Sequence, residues 1–435
     1  MQRNWFLGDL LNQLFDRPGK RRGNDDKRSI LELCEALLSA EGEVSGYSLA
    51  STILDRYQTL NDSEKLGFFA YLNDQLELDA DQLAEVASLY AKDRSVFLYQ
   101  KLSEVAEPRR QELLRRLNQP SGATQELVAM RVDLLRFLKS NPELKRTDID
   151  FAHLLRSWFN RGFLVLKQIS WDTPARVLDK IVAYEAVHQI NDLDDLRRRL
   201  YPPDRRCFAF FHPAMPDEPL IFVEVALTAE IPDAIDTLLS EVREPIEAEQ
   251  AKIAAFYSIS NCQKGLAGIS FGNLLIKQVV TELSRELQQL GTFVTLSPIP
   301  GLNRWLADET EHPEHGHAAE AVLAETATSQ DTRAMAARYL MLAKREDGMP
   351  LDPVARFHLG NGAELHELHA GADLSPNGRA QSAGAMVNYL YDLNKTERHH
   401  EEFATRATIQ ASRSVRAAST TALAVTRWCG ARASR

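Results

Sequence analysis

Between Phe256 and Gly301 the chain reads as a strand, a glycine-spaced turn, an amphipathic helix and a second strand, and residues able to do chemistry gather here. Gly265, Gly268 and Gly272 space the turn. Free backbone N–H groups at a helix start, together with the macrodipole, favour phosphate or pyrophosphate, so the turn is a candidate anion cradle. The same glycines could equally serve close packing of strand on helix. Gly268-Ile269-Ser270-Phe271-Gly272 also matches the G-x-S-x-G nucleophile elbow. An elbow needs its strand to enter the turn directly, whereas Asn261 to Gly265 intervene here. No Lys-Ser or Lys-Thr follows the last glycine, and the spacing is not that of a dinucleotide fingerprint. Ser297 closes the second strand before Pro298-Ile299-Pro300, prolines that fix the chain's exit and with it the direction of a hydroxyl. A serine ending a strand is also an ordinary turn residue.

The histidines divide by context. His358 follows Phe357 in a segment that reads as a strand, with Asn361-Gly362 just behind it. The run Glu311-His312-Pro313-Glu314-His315-Gly316-His317 has the composition of a metal site. It lacks a helical i, i+4 histidine pair and is broken by proline, so we expect solvated surface and no metal. His366 and His369 are glycine-flanked, and His399-His400 lies among charges and reads as surface.

The elements that must hold these residues fall into two regions. Residues 1 to about 163 carry helical apolar stripes such as Leu127, Met130, Leu134, Leu135 and Leu138. No constellation there reads as catalytic, and packing or oligomerisation is the expected role. Residues 164–435 mix strands and helices, which predicts an α+β unit behind an all-helical one. Cys207–Phe211 and Leu220–Val225 read as an antiparallel pair, Phe256–Ser260 and Thr292–Leu296 as strands flanking the long helix, and Met386–Tyr391 as a last strand. Thr173-Pro174 reads as an N-cap followed by proline at the first helical position. After about Phe403 the chain holds six arginines and no acid, a frayed basic helix or a disordered tail.

Bulk properties exclude several classes. The chain has 435 residues, 26% charged and 44% apolar, with a formal charge of −10. That balance argues against a broad nucleic-acid-binding surface. No apolar run approaches the roughly 20 residues that span a bilayer. Cys34, Cys207, Cys262 and Cys429 are scattered, which disfavours a disulfide framework or structural zinc. The first residues lack the apolar core of a signal peptide, so a cytoplasmic protein is expected.

Phe256–Ser260, Gln263–Gly268, Leu275–Lys277 and Leu296-Ser297-Pro298-Ile299-Pro300-Gly301, taken together, resemble malonyl-CoA decarboxylase. So do Trp171–Pro174, Pro216–Leu220, Val225–Thr228, Pro353–Leu359, Asn361–Ala363 and Met386–Tyr391, in order across roughly residues 155–395. The resemblance implies an N-terminal helical domain and a GNAT-like, acetyltransferase-type catalytic domain, associating into dimers or tetramers. It implies conversion of malonyl-CoA to acetyl-CoA and carbon dioxide, as in fatty acid and malonate metabolism, with no metal or organic cofactor. By motif match the catalytic residues fall on Ser297 and His358. The acyl-CoA-binding turn falls on Ala267, Gly268, Ile269, Ser270, Phe271, Gly272 and Asn273. Ser258 and Tyr391 match pocket residues near the acyl group. Position 270, often acidic in relatives, is serine here, and Glu367–Gly371 lacks a tryptophan common in that segment.

Loss of carbon dioxide from a malonyl thioester leaves charge on the α-carbon and thioester oxygen. Preorganised donors to that oxygen are typically worth about 10²–10³ in rate each. Proton delivery to the carbon contributes about 10²–10⁴. His358 is the expected proton donor, since imidazole titrates near neutrality. Ser297 is expected to orient or polarise the malonyl group, or to act as a proton acceptor. Acyl transfer from CoA and non-catalytic acyl-CoA sensing are the alternatives.

Overall fold

The computed structural model describes residues 26–39, 42–269 and 275–421. The chain forms two compact units. One comprises Met1–Leu164 with His212–Pro216 and Gln263–Ser270, the other Val165–Phe211, Asp217–Cys262 and Phe271–Arg435.

In the first unit every described long element is helical. Caps set several boundaries: the Asn61 side chain accepts from the Glu64 N–H while Glu64 accepts from the Asn61 N–H, opening the helix Asp62–Asp74. Leu37, Ile53, Phe69, Leu113, Leu127 and Leu134 belong to one continuous buried core. A buried Arg110–Asp150 ion pair ties two of its helices. Arg131 pairs with Asp148 at 2.9 Å and also donates to the Gly265 and Ala267 carbonyls at 2.7 and 3.0 Å. Gly265 has no alternative, because a Cβ there would lie 2.0 Å from the Val128 carbonyl oxygen.

The second unit is built on a mixed sheet. Its strands are β1 (Val165–Ile169), β2 (Arg205–His212), β3 (Met215–Thr228), β4 (Ile253–Asn261), β5 (Thr292–Thr295), β6 (Ser297–Pro298), β7 (Glu364–His369) and β8 (Met386–Leu390). They run in the order β1-β2-β3-β4-β5-β8-β6, with β7 also on β8. The expected turn from His212 to Pro219 shrinks to residues 213–214, because β2 and β3 extend into it. Thr173 is not the N-cap: that position is Pro174, and the Thr173 hydroxyl accepts from the Ser170 N–H instead. The helix Leu275–Glu286 buries Ile276, Val279, Val280 and Leu283 as their spacing predicts. It ends at Glu286, and the Gly291 N–H beyond it bonds the Lys252 carbonyl. The described part of the basic tail holds the end of the helix Thr396–Arg406 and the helix Arg413–Thr420, and residues 422–435 lie outside the described residues.

Two irregularities in the sheet make a site possible. Glu224 pairs with Ser258 and Val225 with Phe256, so Tyr257 is an extra residue that bulges β4 against β3. β4 and β5 are parallel but stay paired only from Ile253↔Thr292 to Phe256↔Thr295. Beyond that point Ser297 pairs with Val387 on β8 while β4 runs on to Asn261. The strands therefore part, and a cleft opens between residues 257–261 and β6.

Candidate active site

A cavity of about 220 Å³ fills the cleft, lined by Phe256, Tyr257, Ile259 and Asn261 from β4 and by Ser297 and Pro298 from β6. Val187 closes one side, and Pro353, Val354, Phe357 and His358 close another. With the bulge at Tyr257, both Phe256 and Tyr257 reach the cavity, which strict strand alternation forbids. Among the described residues that line it, none is Asp, Glu, Lys or Arg.

His358 arrives from a helix, not the strand expected from its neighbours. Asp352 caps that helix by accepting from the Ala355 N–H at 2.8 Å, and Pro353 occupies its first position. Ala355, His358 and Leu359 are its buried residues, the i, i+3, i+4 spacing of a helix. The helix Pro353–Gly360 stops at Asn361, and Gly362 turns away at φ +81° with the Thr396 carbonyl where a Cβ would stand. His358 thus sits in the last turn, facing the cleft. Burial also pushes the Asp352 carboxyl up to about 6.

The imidazole is held at both nitrogens and on one face. Nε2 lies 3.2 Å from Ser297 Oγ, and Nδ1 lies 2.8 Å from the Tyr391 hydroxyl. Tyr389 stacks on the ring, with centroids 4.4 Å apart and planes 25° apart. Ser297 donates to Thr295 Oγ1 at 2.8 Å, and Thr295 Oγ1 also accepts from the Tyr389 N–H. With the serine hydrogen so committed, its oxygen accepts from Nε2–H, and Nδ1 accepts from Tyr391. One chain of donors then runs Tyr391, His358, Ser297, Thr295. His358 is 3% exposed, and burial lowers its pKa to about 3, so the free site holds a neutral imidazole at pH 7.

The other sequence-derived candidates are placed as follows. Ser258 is buried, and its hydroxyl donates to the Glu185 carboxylate at 2.9 and 2.8 Å. Glu185 also accepts from the Val187 and His188 N–H groups, which fixes the segment bearing Val187. Ala267 and Gly268 are exposed and Ile269 buried, with Gly268 in the left-handed region at φ +75°. The Ala267 and Ile269 N–H groups turn inward onto the Lys264 and Leu266 carbonyls. Ser270, Phe271, Gly272 and Asn273 lie outside the described residues. His399 and His400, which read as surface, are buried and half-buried. His369 lies on β7 and bonds Asn388, and His400 reaches the Gly360 carbonyl.

Thr295, Tyr389 and Glu185 were not anticipated from the sequence. Two of them carried a signal: Thr295 stands two before Ser297 and Tyr389 two before Tyr391, the period that returns a side chain to the same face of a strand. Glu185 carried none.

Residues 162–427 match the family model for the malonyl-CoA decarboxylase C-terminal domain, and residues 76–159 match that for its N-terminal domain. The mitochondrial malonyl-CoA decarboxylase of Anser anser anser is 36% identical over 348 residues, covering 71% of this chain and 69% of that protein. The Mus musculus protein of that name is 34% identical over 360 residues, 73% of each. The crystal structure of malonyl-CoA decarboxylase from Rhodopseudomonas palustris superposes with a TM-score of 0.84 at 50% identity, covering 89% of this chain and 98% of that one. That from Agrobacterium vitis gives 0.84 at 48%, covering 90% and 100%. By matches that span most of its length, this chain belongs to the malonyl-CoA decarboxylase family.

Proposed function

We propose that this enzyme decarboxylates malonyl-CoA to acetyl-CoA and carbon dioxide, with no metal or organic cofactor. The observation that carries this reading is Ser297 Oγ, 3.2 Å from His358 Nε2, at the wall of a cavity lined by uncharged residues. A malonyl carboxylate entering that cavity loses water and gains no cationic partner from its lining. Its charge is localised before reaction and spread over the thioester enolate afterwards, so an apolar lining favours the transition state over the bound substrate. With substrate bound, the Ser297 hydroxyl turns its hydrogen from Thr295 Oγ1 to the malonyl group and holds the carboxylate out of the thioester plane, where its electrons can enter the carbonyl system.

Once carbon dioxide has left, the α-carbon is a stronger base than imidazole's conjugate anion. Nε2–H passes its proton to that carbon, and Nδ1 takes the Tyr391 hydroxyl proton in return. The negative charge brought in by the substrate carboxylate then rests on the Tyr391 oxygen until solvent returns a proton. Backbone N–H groups between Ala267 and Asn273 are proposed to meet the coenzyme phosphates, an anchoring role worth about 0.3–1 kcal/mol for helix-terminus electrostatics. Association into dimers or tetramers and a cytoplasmic location belong to the same proposal.

The test is incubation with malonyl-CoA, following acetyl-CoA and carbon dioxide by mass. His358→Ala is expected to lower kcat about 10²–10⁴-fold with modest change in KM, and Ser297→Ala about 10²–10³-fold. Wild-type turnover in His358→Ala removes the imidazole from the reaction. An acylated acceptor without carbon dioxide points instead to acyl transfer.

A further inference from the structure

Apart from the cavity, a second group of ligating side chains converges on the turn that follows the helix Leu302–Asp308. The proline break and the lack of a helical i, i+4 histidine pair led to an expectation of solvated surface here, but His315 is only 8% exposed. The His312 N–H bonds the Glu309 carbonyl and the Gly316 N–H bonds the His312 carbonyl, both at 2.9 Å. These successive tight turns return Glu309, His312 and His315 to one side, three residues apart. One ligand atom from each lies within 4.8 Å of the other two.

The group is supported from several directions. His315 Nε2 is 2.8 Å from Glu309 Oε2, and the His312 ring stacks on His315 at 3.8 Å and 17°. Trp305 stacks on His315 at 6.1 Å and 25°. His312 Nδ1 accepts from the Glu314 N–H, which leaves Nε2 as its ligand atom. Gly316 has the Thr310 carbonyl oxygen 2.2 Å from where a Cβ would be, so the backbone is tightly folded before any ligand arrives. His315 Nδ1 is buried with no hydrogen-bond partner. The ring is thus held by stacking and by one hydrogen bond only.

We propose that Glu309, His312 and His315 form a site for a divalent transition-metal ion, zinc by preference, with a fourth position for water. Two imidazoles and one carboxylate suit zinc, copper or nickel better than magnesium or calcium, which take oxygen sets. Zinc bonds of about 2.0–2.2 Å place tetrahedral ligand atoms roughly 3.3–3.6 Å apart, and the exposed His312 ring must turn out of its stack on His315 for both in-plane lone pairs to meet one ion. The ion tethers the C-terminal end of a helix whose other end follows Ser297-Pro298-Ile299-Pro300-Gly301. Its role is structural, so the decarboxylation step proceeds without it.

The full-length protein is stripped with chelator, dialysed and titrated with Zn²⁺ by calorimetry, and with Cu²⁺ by quenching of Trp305 fluorescence. One Zn²⁺ per chain is expected, with a raised melting temperature and loss of the quenching in Trp305→Phe. His312→Ala, at an exposed position, and Glu309→Gln are each expected to weaken binding at least about 10–100-fold, since even outer-shell changes at metal sites cost that much. His317→Ala is expected to bind as wild type, because that side chain is 87% exposed and outside the cluster. Absence of stoichiometric binding overturns the proposal. So does binding that survives His312→Ala and Glu309→Gln, or that is lost equally in His317→Ala.

Discussion

Replacing Tyr391 by phenylalanine tests the donor chain with the least disturbance of packing. The ring keeps its edge contacts with Phe256 and His358, at centroid distances of 6.5 and 6.1 Å, and only the hydroxyl 2.8 Å from Nδ1 is lost. Two effects follow. The buried Nδ1 loses its donor, which costs about 1–3 kcal/mol of stability. For a unit of this size that is a fall in Tm of about 2–4 °C per kcal/mol. Proton transfer from Nε2 then leaves an imidazolate that no hydroxyl resupplies, and we expect kcat to fall about 10²–10³-fold, or about 2.7–4 kcal/mol of barrier. KM should change little, since the cavity lining is intact. The assay is steady-state acetyl-CoA formation together with exchange of labelled carbon dioxide into malonyl-CoA. Exchange should rise relative to net turnover, because the carbanion survives long enough to recapture carbon dioxide. Near-wild-type kcat, or kcat and exchange falling together, refutes the assignment of Tyr391 as proton source.

Three further outcomes are expected. His358 is neutral in the free site down to about pH 3, so it should add no inflection to kcat/KM at the ordinary histidine value of 6.5, and an inflection near 6 that vanishes in Asp352→Asn belongs to the helix cap. Below 6.5 the unfolded chain takes up a proton that the folded His358 refuses, so stability is lost as pH falls from 6.5 toward 3, by about 2 kcal/mol at pH 5. Urea unfolding of wild type and His358→Gln at pH 5 and 7 measures this, and equal pH dependence in the two would be the contrary result. Arg131→Met leaves the buried Asp148 with Lys145 alone and frees the Gly265 and Ala267 carbonyls. A loss of about 3–5 kcal/mol in the first unit is expected, read by denaturant unfolding.

Much of the local structure was legible because it follows from residues near one another in the chain. The stripe from Ile276 to Leu283 specified its helix, and the β-branched and aromatic run around Phe256 specified β4. The His358 segment shows how a reading fails: aromatic neighbours suggested a strand, while Asp352-Pro353 and the spacing of Ala355, His358 and Leu359 already encoded a helix. In the histidine-rich loop the composition was that of a metal site, but the proline break and the missing i, i+4 pair led to an expectation of solvated surface without metal. Glu309 lay outside that run and entered only through the path of the backbone.

By itself the sequence determined the two-part organisation, the elements flanking the glycine turn, and a serine held at a strand exit by prolines. Only the tertiary structure decided that Ser297 meets an imidazole 61 residues away, that Tyr391 holds the ring's other nitrogen, and that this histidine is neutral. The physical reason is range. Propensity and capping act within a few residues, whereas burial and hydrogen bonding across the gap between β4 and β6 depend on where the strands part.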